Sequence, residues 1–217
     1  MAGSGFLQQH WDEITSLTLE HLWLTGAAMF FATAIAIPLG ILLARKRALA
    51  RPVLGVVNTL QTIPSLAMFG FLLPLPFIGE RAARIAIVAL VAYALLPIVR
   101  NTYTGITGVD ATVMDVAEAV GMTSWQRLRK VELPLAMPFI LAGLRTATVT
   151  CVGIATIAAA VGAGGLGEFI FRGVASVDNR LVLAGAVPAA LLALGADGLL
   201  GLLEWKLRVP ATGRRRS

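Results

Sequence analysis

The chain has 217 residues, 57% of them hydrophobic and only 14% charged, with a mean hydropathy of +0.81. Soluble domains carry about 25% charge and less than half apolar residues, so an ordinary soluble fold is excluded. At about 20 residues per spanning helix plus connections, the length holds about five spans and leaves no room for a soluble catalytic or nucleotide-binding domain. The single Cys151 lies in an apolar run, which excludes a disulfide framework and a cysteine metal cluster.

Eighteen Lys and Arg against twelve Asp and Glu give a net charge of +6. Arg45, Lys46, Arg47 and Arg51 follow the first apolar run, Arg100, Arg127, Arg129 and Lys130 sit in the central polar stretch, and Lys206, Arg208, Arg214, Arg215 and Arg216 close the chain. If the spans alternate, all of these fall on one side of a membrane, the positive-inside pattern, so the surplus points to lipid rather than nucleic acid. This predicts an N-terminus outside and a C-terminus in the cytoplasm of a multi-pass protein. The fold class expected is an all-α membrane protein.

Taken in order, residues 1–21 contain no Lys or Arg and so lack the basic region of a signal peptide; they are expected to stay in the mature chain. Phe6, Leu7, Trp11, Ile14 and Leu17 recur at helical spacing, which predicts a short helix along the outer membrane surface, with a frayed leader as the alternative. Apolar windows then predict spans near 22–44, 53–77, 82–99, 136–162 and 181–204, followed by a basic tail over 205–217. Trp23 and Trp205 fall at opposite interfaces, where indole rings are favoured.

The second span is interrupted by Pro64, Pro74 and Pro76, and Asn58, Gln61, Thr62 and Ser65 fall at i, i+3, i+4 and i+7. That spacing makes one polar stripe on an apolar helix, which either lines a translocation path or holds helices together by hydrogen bonds. Between Arg100 and Pro134 lies the longest polar connection. Asp110 is placed to cap a helix ending near Val120, Gly121 supplies its terminus, and Thr123 with Gln126 forms a capping box for a second short helix that the Leu133 and Pro134 pair ends. The product is a protruding knob, or else an amphipathic hairpin that docks nothing. The run Gly162-Ala-Gly-Gly-Leu-Gly167 lacks the Lys-Ser/Thr of a phosphate cradle and falls on the outer side, so Gly162, Gly164, Gly165 and Gly167 form an outer gate loop or a simple helix-ending turn.

Two charges lie within spans. Arg145 is nine residues from the expected inner end of the fourth span, about 13 Å, and Asp197 eight residues from that of the fifth, about 12 Å. Equal depth in hydrocarbon gives each reason to seek the other, so an intramembrane ion pair is expected, with snorkelling of Arg145 or separate lining of a water-filled path as the rivals.

The run Asp115-Val-Ala-Glu-Ala-Val-Gly121, then nine residues, then Val131-Glu-Leu-Pro134, resembles the EAA signature of type I ABC importer permeases. Ala117, Gly121, Leu133 and Pro134 match outright; Asp115 and Val131 are conservative replacements, and Val116 departs. Gln61-Thr-Ile-Pro-Ser65, Leu96-Pro-Ile-Val-Arg-Asn-Thr-Tyr-Thr-Gly105, Gly121 through Pro138, and 162–167 look like the permeases of glycine betaine, carnitine and choline importers. The resemblance implies a five-helix permease fold in a bacterial or archaeal plasma membrane. It implies that Asp115, Ala117, Glu118, Ala119, Gly121, Leu133 and Pro134 couple to an ATPase, and that the assembly comprises a second permease, identical or paralogous, two ABC ATPase subunits and an extracytoplasmic substrate-binding protein. ATP and Mg would sit on the partner ATPase, since this chain has no Walker motif and is expected to bind no cofactor and catalyse no reaction itself. Asn58, Gln61, Thr62 and Ser65 would then line the path, with Phe69, Phe71 and Tyr93 either contributing aromatic faces for a quaternary ammonium or serving as lipid-facing and packing residues.

Alternatives within the importer class are methionine, metal or another betaine such as ergothioneine as cargo. A secondary transporter would have to work without an ATPase, and an odd span count argues against inverted repeats. An intramembrane hydrolase would need a paired aspartate, a Ser/His arrangement or a zinc helix, where the spans offer Asp197 alone and no His.

Overall fold

The computed structural model describes residues 8–207; Phe6 and Leu7 of the expected surface helix, and Arg208 and Arg214 to Arg216 of the basic tail, lie outside the described residues. Among the described residues the chain is helical throughout: α1 Trp11–Arg45, α2 Arg47–Thr62, α3 Ser65–Leu72, α4 Ala82–Thr107, α5 Ala111–Ala119, α6 Ser124–Arg127, α7 Leu133–Ala158, α8 Gly167–Ser176 and α9 Asn179–Leu207. A π-helical turn, Leu128–Glu132, joins α6 to α7, and a 3-10 turn, Ala159–Val161, follows α7. Four helical runs are long and apolar enough to cross a membrane: α1, α4, Ser124–Val161 and α9. The pair α2 and α3, bent by 99° at its break, is long and apolar enough only when taken together, and makes a fifth where it is counted as one span.

Four features depart from the sequence expectations. Residues 11–21 form no separate surface helix but the first three turns of α1, whose 35 residues run about 52 Å. No Gly or Pro interrupts Trp11 to Trp23, and Ile14 and Leu17 find a buried seat against Leu166, Phe169, Ala184 and Ala189. Hydropathy ends the third span at Val99, yet α4 continues two turns to Thr107 because nothing breaks the helix before Gly108. The second span is not one helix: Ile63 adopts extended angles (φ −71, ψ 127) before Pro64, which disfavours a helical residue in front of it. Lastly, Leu133 and Pro134 do not end α6. The Leu133 N–H bonds back to Leu128 across the wide π turn, and Pro134, which has no N–H to give, is carried in the first turn of α7.

α4 is the centre of the bundle, with α1 on one flank and α7 on the other. Small residues let the backbones approach: Ala28, Ala32, Ala36 and Gly40 recur every fourth position on the buried face of α1. A Cβ on Gly40 would meet the Thr102 side chain at 2.6 Å, and one on Gly143 would meet the Pro97 carbonyl at 2.7 Å. Leu90, Ala94, Ile98, Val99, Ala147, Cys151 and Ala155 complete this core. α9 packs on α7 and α8 and leaves Leu191, Leu194, Leu199 and Leu202 exposed, as a lipid-facing helix does.

Candidate functional site

Where α2 breaks, the chain opens a cavity of about 620 Å3. Gln61, Thr62, Ile63, Pro64 and Ser65 form one wall, Tyr93, Leu96, Pro97, Arg100 and Asn101 of α4 a second, and Thr146, Thr150 and Ile154 of α7 a third. The break itself is held by α4: the Gln61 amide donates to the Tyr93 carbonyl at 2.7 Å, and the Tyr93 hydroxyl donates to the Ile63 carbonyl. Extended backbone inside a membrane is tolerated only where its polar groups are satisfied by protein or face a wet cavity, and here both conditions are met.

Of the expected stripe, Gln61, Thr62 and Ser65 reach this cavity, while Asn58 is exposed away from it. The break at Ile63 resets the helical register, so the four positions do not share one face. Apart from Tyr93, the sequence reasoning missed the other walls. Tyr93, Pro97, Arg100 and Asn101 recur at i, i+4, i+7 and i+8 on α4, and Thr146 and Thr150 at i, i+4 on α7, a face signal that was present but diluted among apolar neighbours. Phe69 is fully buried in the core and Phe71 is 65% exposed, so neither lines the cavity.

At the end of α7 the chain reverses through 162–167. Gly162, Gly164 and Gly165 all have positive φ, at 77°, 84° and 80°. Gly162 closes α7, its N–H donating to Ala159 and that of Ala163 to Ala158. The loop is also tied to α1: Glu20 accepts from the Gly165 N–H at 3.1 Å, and a Cβ on Gly165 would lie 3.2 Å from Nδ1 of the fully buried His21. His21 is anchored in turn through Nε2 to the Val152 carbonyl at 3.1 Å. Gly167 opens α8 where a Cβ would collide with the Thr156 carbonyl.

Arg145 and Asp197 meet. Arg145 Nη2 donates to Asp197 Oδ2 at 2.6 Å and Nε to Oδ1, with Glu204 at 3.8 Å from Nη1. Asp197, Gly201 and Glu204 fall at i, i+4 and i+7 on α9, and Gly201 leaves the guanidinium room, since a Cβ there would sit 3.3 Å from Nη1.

At the opposite end from the glycine loop, α5 and α6 form the knob. Asp110 caps α5 by accepting from the Thr112 N–H at 2.7 Å. Gly121, at φ +77, ends it with a Met122 to Ala117 bond of 3.1 Å, and Thr123 with Gln126 makes the capping box of α6. Ala117 is the buried residue of α5; Val113, Val116 and Val120 turn outward at 40%, 59% and 67% exposure, beside Trp125 at 67%. Asp115 lines a separate cavity of about 320 Å3 with Arg45, Arg47, Met114 and Glu132, and Glu118 accepts from Arg127 Nη1 at 2.5 Å. Among the described residues no group of His, Cys, Asp or Glu is placed to hold a metal ion.

A helical bundle with an open polar cavity at its middle and a solvent-facing knob at one end defines a membrane-embedded transport component. A family model described as binding-protein-dependent transport system inner membrane component matches residues 36–209, and the chain belongs to that family. It is 43% identical over 202 residues to the glycine betaine/carnitine/choline transport system permease protein OpuCB of Bacillus subtilis (strain 168), covering 93% of this chain and 92% of that one. It is 48% identical over 186 residues to OpuCD, a permease protein of the same description from the same organism, covering 85% and 80%. Among solved structures it is similar to the MetNI methionine ABC transporter in an inward-facing conformation, with a TM-score of 0.70 at 26% identity over 85% of this chain and 93% of that one. The chain is thus a transport component with a type I ABC importer permease fold, not an enzyme.

Proposed function

We propose that this chain is the permease of an ATP-driven importer for quaternary ammonium osmoprotectants, the class of glycine betaine, carnitine and choline. One observation carries the proposal: two of the stretches in which the chain resembles such permeases, 61–65 and 96–105, supply two of the three walls of the polar cavity. Cargo crosses by way of Gln61, Thr62 and Ser65 and the facing Asn101, Thr146 and Thr150, whose neutral hydrogen-bonding groups give a weak, transient path. Capture with high affinity is left to an extracytoplasmic binding protein.

Two ATPase subunits dock on the knobs of two permeases. The outward Val113 and Val116 on α5, with Val120 at its C-terminal cap, form the apolar contact, and Gly121 keeps the helix end slim. A second permease covers the open flank of the cavity, because lipid cannot satisfy its amide and hydroxyl groups. OpuCB and OpuCD resemble this chain about equally well, which favours a paralogous partner over an identical one. The knob lies in the cytoplasm and the glycine loop outside, in keeping with the basic residues at the knob end. The test is uptake of labelled glycine betaine, carnitine and choline under osmotic stress by cells with and without this chain. Unchanged uptake of all three refutes the cargo class.

A further inference from the structure

α5 is poorly placed to move the bundle by packing. It buries Ala117 alone, joins α4 through the three-residue link 108–110, and overlies the 320 Å3 cavity that separates it from the ends of α1 and α4. What holds it is a pair of ion pairs in series. Glu118 on α5 accepts from Arg127 on α6 at 2.5 Å. α6 then runs without interruption through the π turn into α7, and the π turn carries Glu132.

Glu132 is 2% exposed and is gripped by Arg45, from the last turn of α1, through both guanidinium prongs: Nη1 to Oε1 at 2.9 Å and Nη2 to Oε2 at 2.5 Å. The wide turn sets this register. A π turn inserts an extra residue into the helix, which rotates Glu132 relative to the α-helical positions beyond it. Its carboxylate is buried where only Arg45 neutralises it among the described residues, and a planar bidentate pair of this kind resists both sliding and rotation.

We propose that Glu132–Arg45 is the joint through which displacement of the knob reaches α1 together with α7, with Glu118–Arg127 as the link that brings α5 into the movement. Without the joint, a shift of α5 and α6 would drive α7 alone, and the two flanks of α4 would no longer move as one. Arg45 and Glu132 are therefore positioning residues that touch neither cargo nor ATP. The proposal rests on the docking of α5 on an ATPase.

The experiment uses the whole reconstituted importer, comparing ATPase retained on the permease and cargo moved per ATP hydrolysed. In Glu132→Gln the ATPase stays bound, and cargo moved per ATP falls about 5- to 150-fold, the span of ordinary inter-site couplings. Arg45→Lys, which keeps the charge but loses the fork, gives a smaller fall and serves where the first variant fails to insert. The exchange Arg45→Glu with Glu132→Arg regains part of the loss. Native efficiency in Glu132→Gln and in Arg45→Lys overturns the joint, as does an exchange no better than the worse single variant. Loss of bound ATPase from the variants alone also overturns it, since the pair would then merely shape the docking surface. A native chain that retains no ATPase sinks instead the docking reading beneath it.

Discussion

Arg145 on α7 and Asp197 on α9 lie 52 positions apart in sequence and form a two-pronged ion pair, with Nη2 donating to Oδ2 at 2.6 Å. The pair fastens α9 to α7, with side chains that are 40% and 35% exposed and line a cavity shared with Thr146, Thr150 and Glu204. Neutralising Asp197 to Asn leaves Arg145 with Glu204 alone, at 3.8 Å, and is expected to lower detergent melting temperature and transport together. Adding Arg145→Gln should recover part of the loss. A double-mutant cycle on melting temperature checks this; a double variant no better than the worse single would remove the pairing as the cause.

Gly121 sits at φ +77 with nothing within 4 Å of where a Cβ would be built. Substitution there costs through backbone conformation and not through a clash, about 1–2 kcal/mol of local stability for an alanine. Gly121→Ala is therefore expected to insert normally but to fray the end of α5, and Gly121→Trp also to obstruct a docked partner. ATP hydrolysis coupled to cargo, measured in the reconstituted importer, should fall in the order native, Ala, Trp; equal coupling in all three would exclude 115–121 as the coupling helix.

Asp110, outside the spans, has its carboxyl held below the usual range, first by a side-chain hydrogen bond with Thr112 and then by the Thr112 amide. A carboxyl lowered on folding stabilises the cap above the ordinary carboxylate range and loses that contribution as pH falls through the folded value. The Thr112 amide should thus exchange hydrogen faster, relative to its intrinsic rate, in solution acid enough to protonate a carboxyl held below the usual range than at neutral pH. In Asp110→Asn that extra acid sensitivity should vanish while the cap persists. Exchange that tracks the intrinsic rate in the native chain would contradict the assignment.

The glycine loop gives an ordered series. Gly162→Ala meets nothing within 4 Å and costs only the left-handed backbone, about 1–2 kcal/mol. Gly165→Ala adds a 3.2 Å approach to His21 on the same kind of backbone, and Gly167→Ala drives a Cβ into the Thr156 carbonyl, so it should be the most damaging. Gly26→Ala, in open space on α1, is the neutral control. Thermal stability of the four purified variants decides; a Gly162 variant as damaged as the Gly167 variant would mean that the loop is not held as described.

Sequence alone determined the class of the molecule and the local grammar of the knob. Those properties rest on near-neighbour physics: an apolar run must span, Asp110 and Thr123 cap the helices that begin beside them, and Gly121 takes the left-handed turn that other residues resist. Asp197 and Arg145 were legible for a related reason, since depth along a helix is read by counting residues. Helix ends were less so, because hydropathy falls at Arg100 while the α4 backbone continues until Gly108 interrupts it.

Tertiary structure decided the rest. Pro64 marks a break locally, but nothing local shows that Tyr93 holds Ile63 there and that Gln61 is turned toward α4, or that Arg45 and Glu132, 87 positions apart, share one buried contact. Charged and polar residues at such distances carry no periodic signal that pairs them; burial makes the pairing necessary, and burial is a property of packed helices. A π turn is likewise invisible to a count that assumes 3.6 residues per turn, so the register that aims Glu132 at α1 emerges only when α6 and α7 are built as one helix.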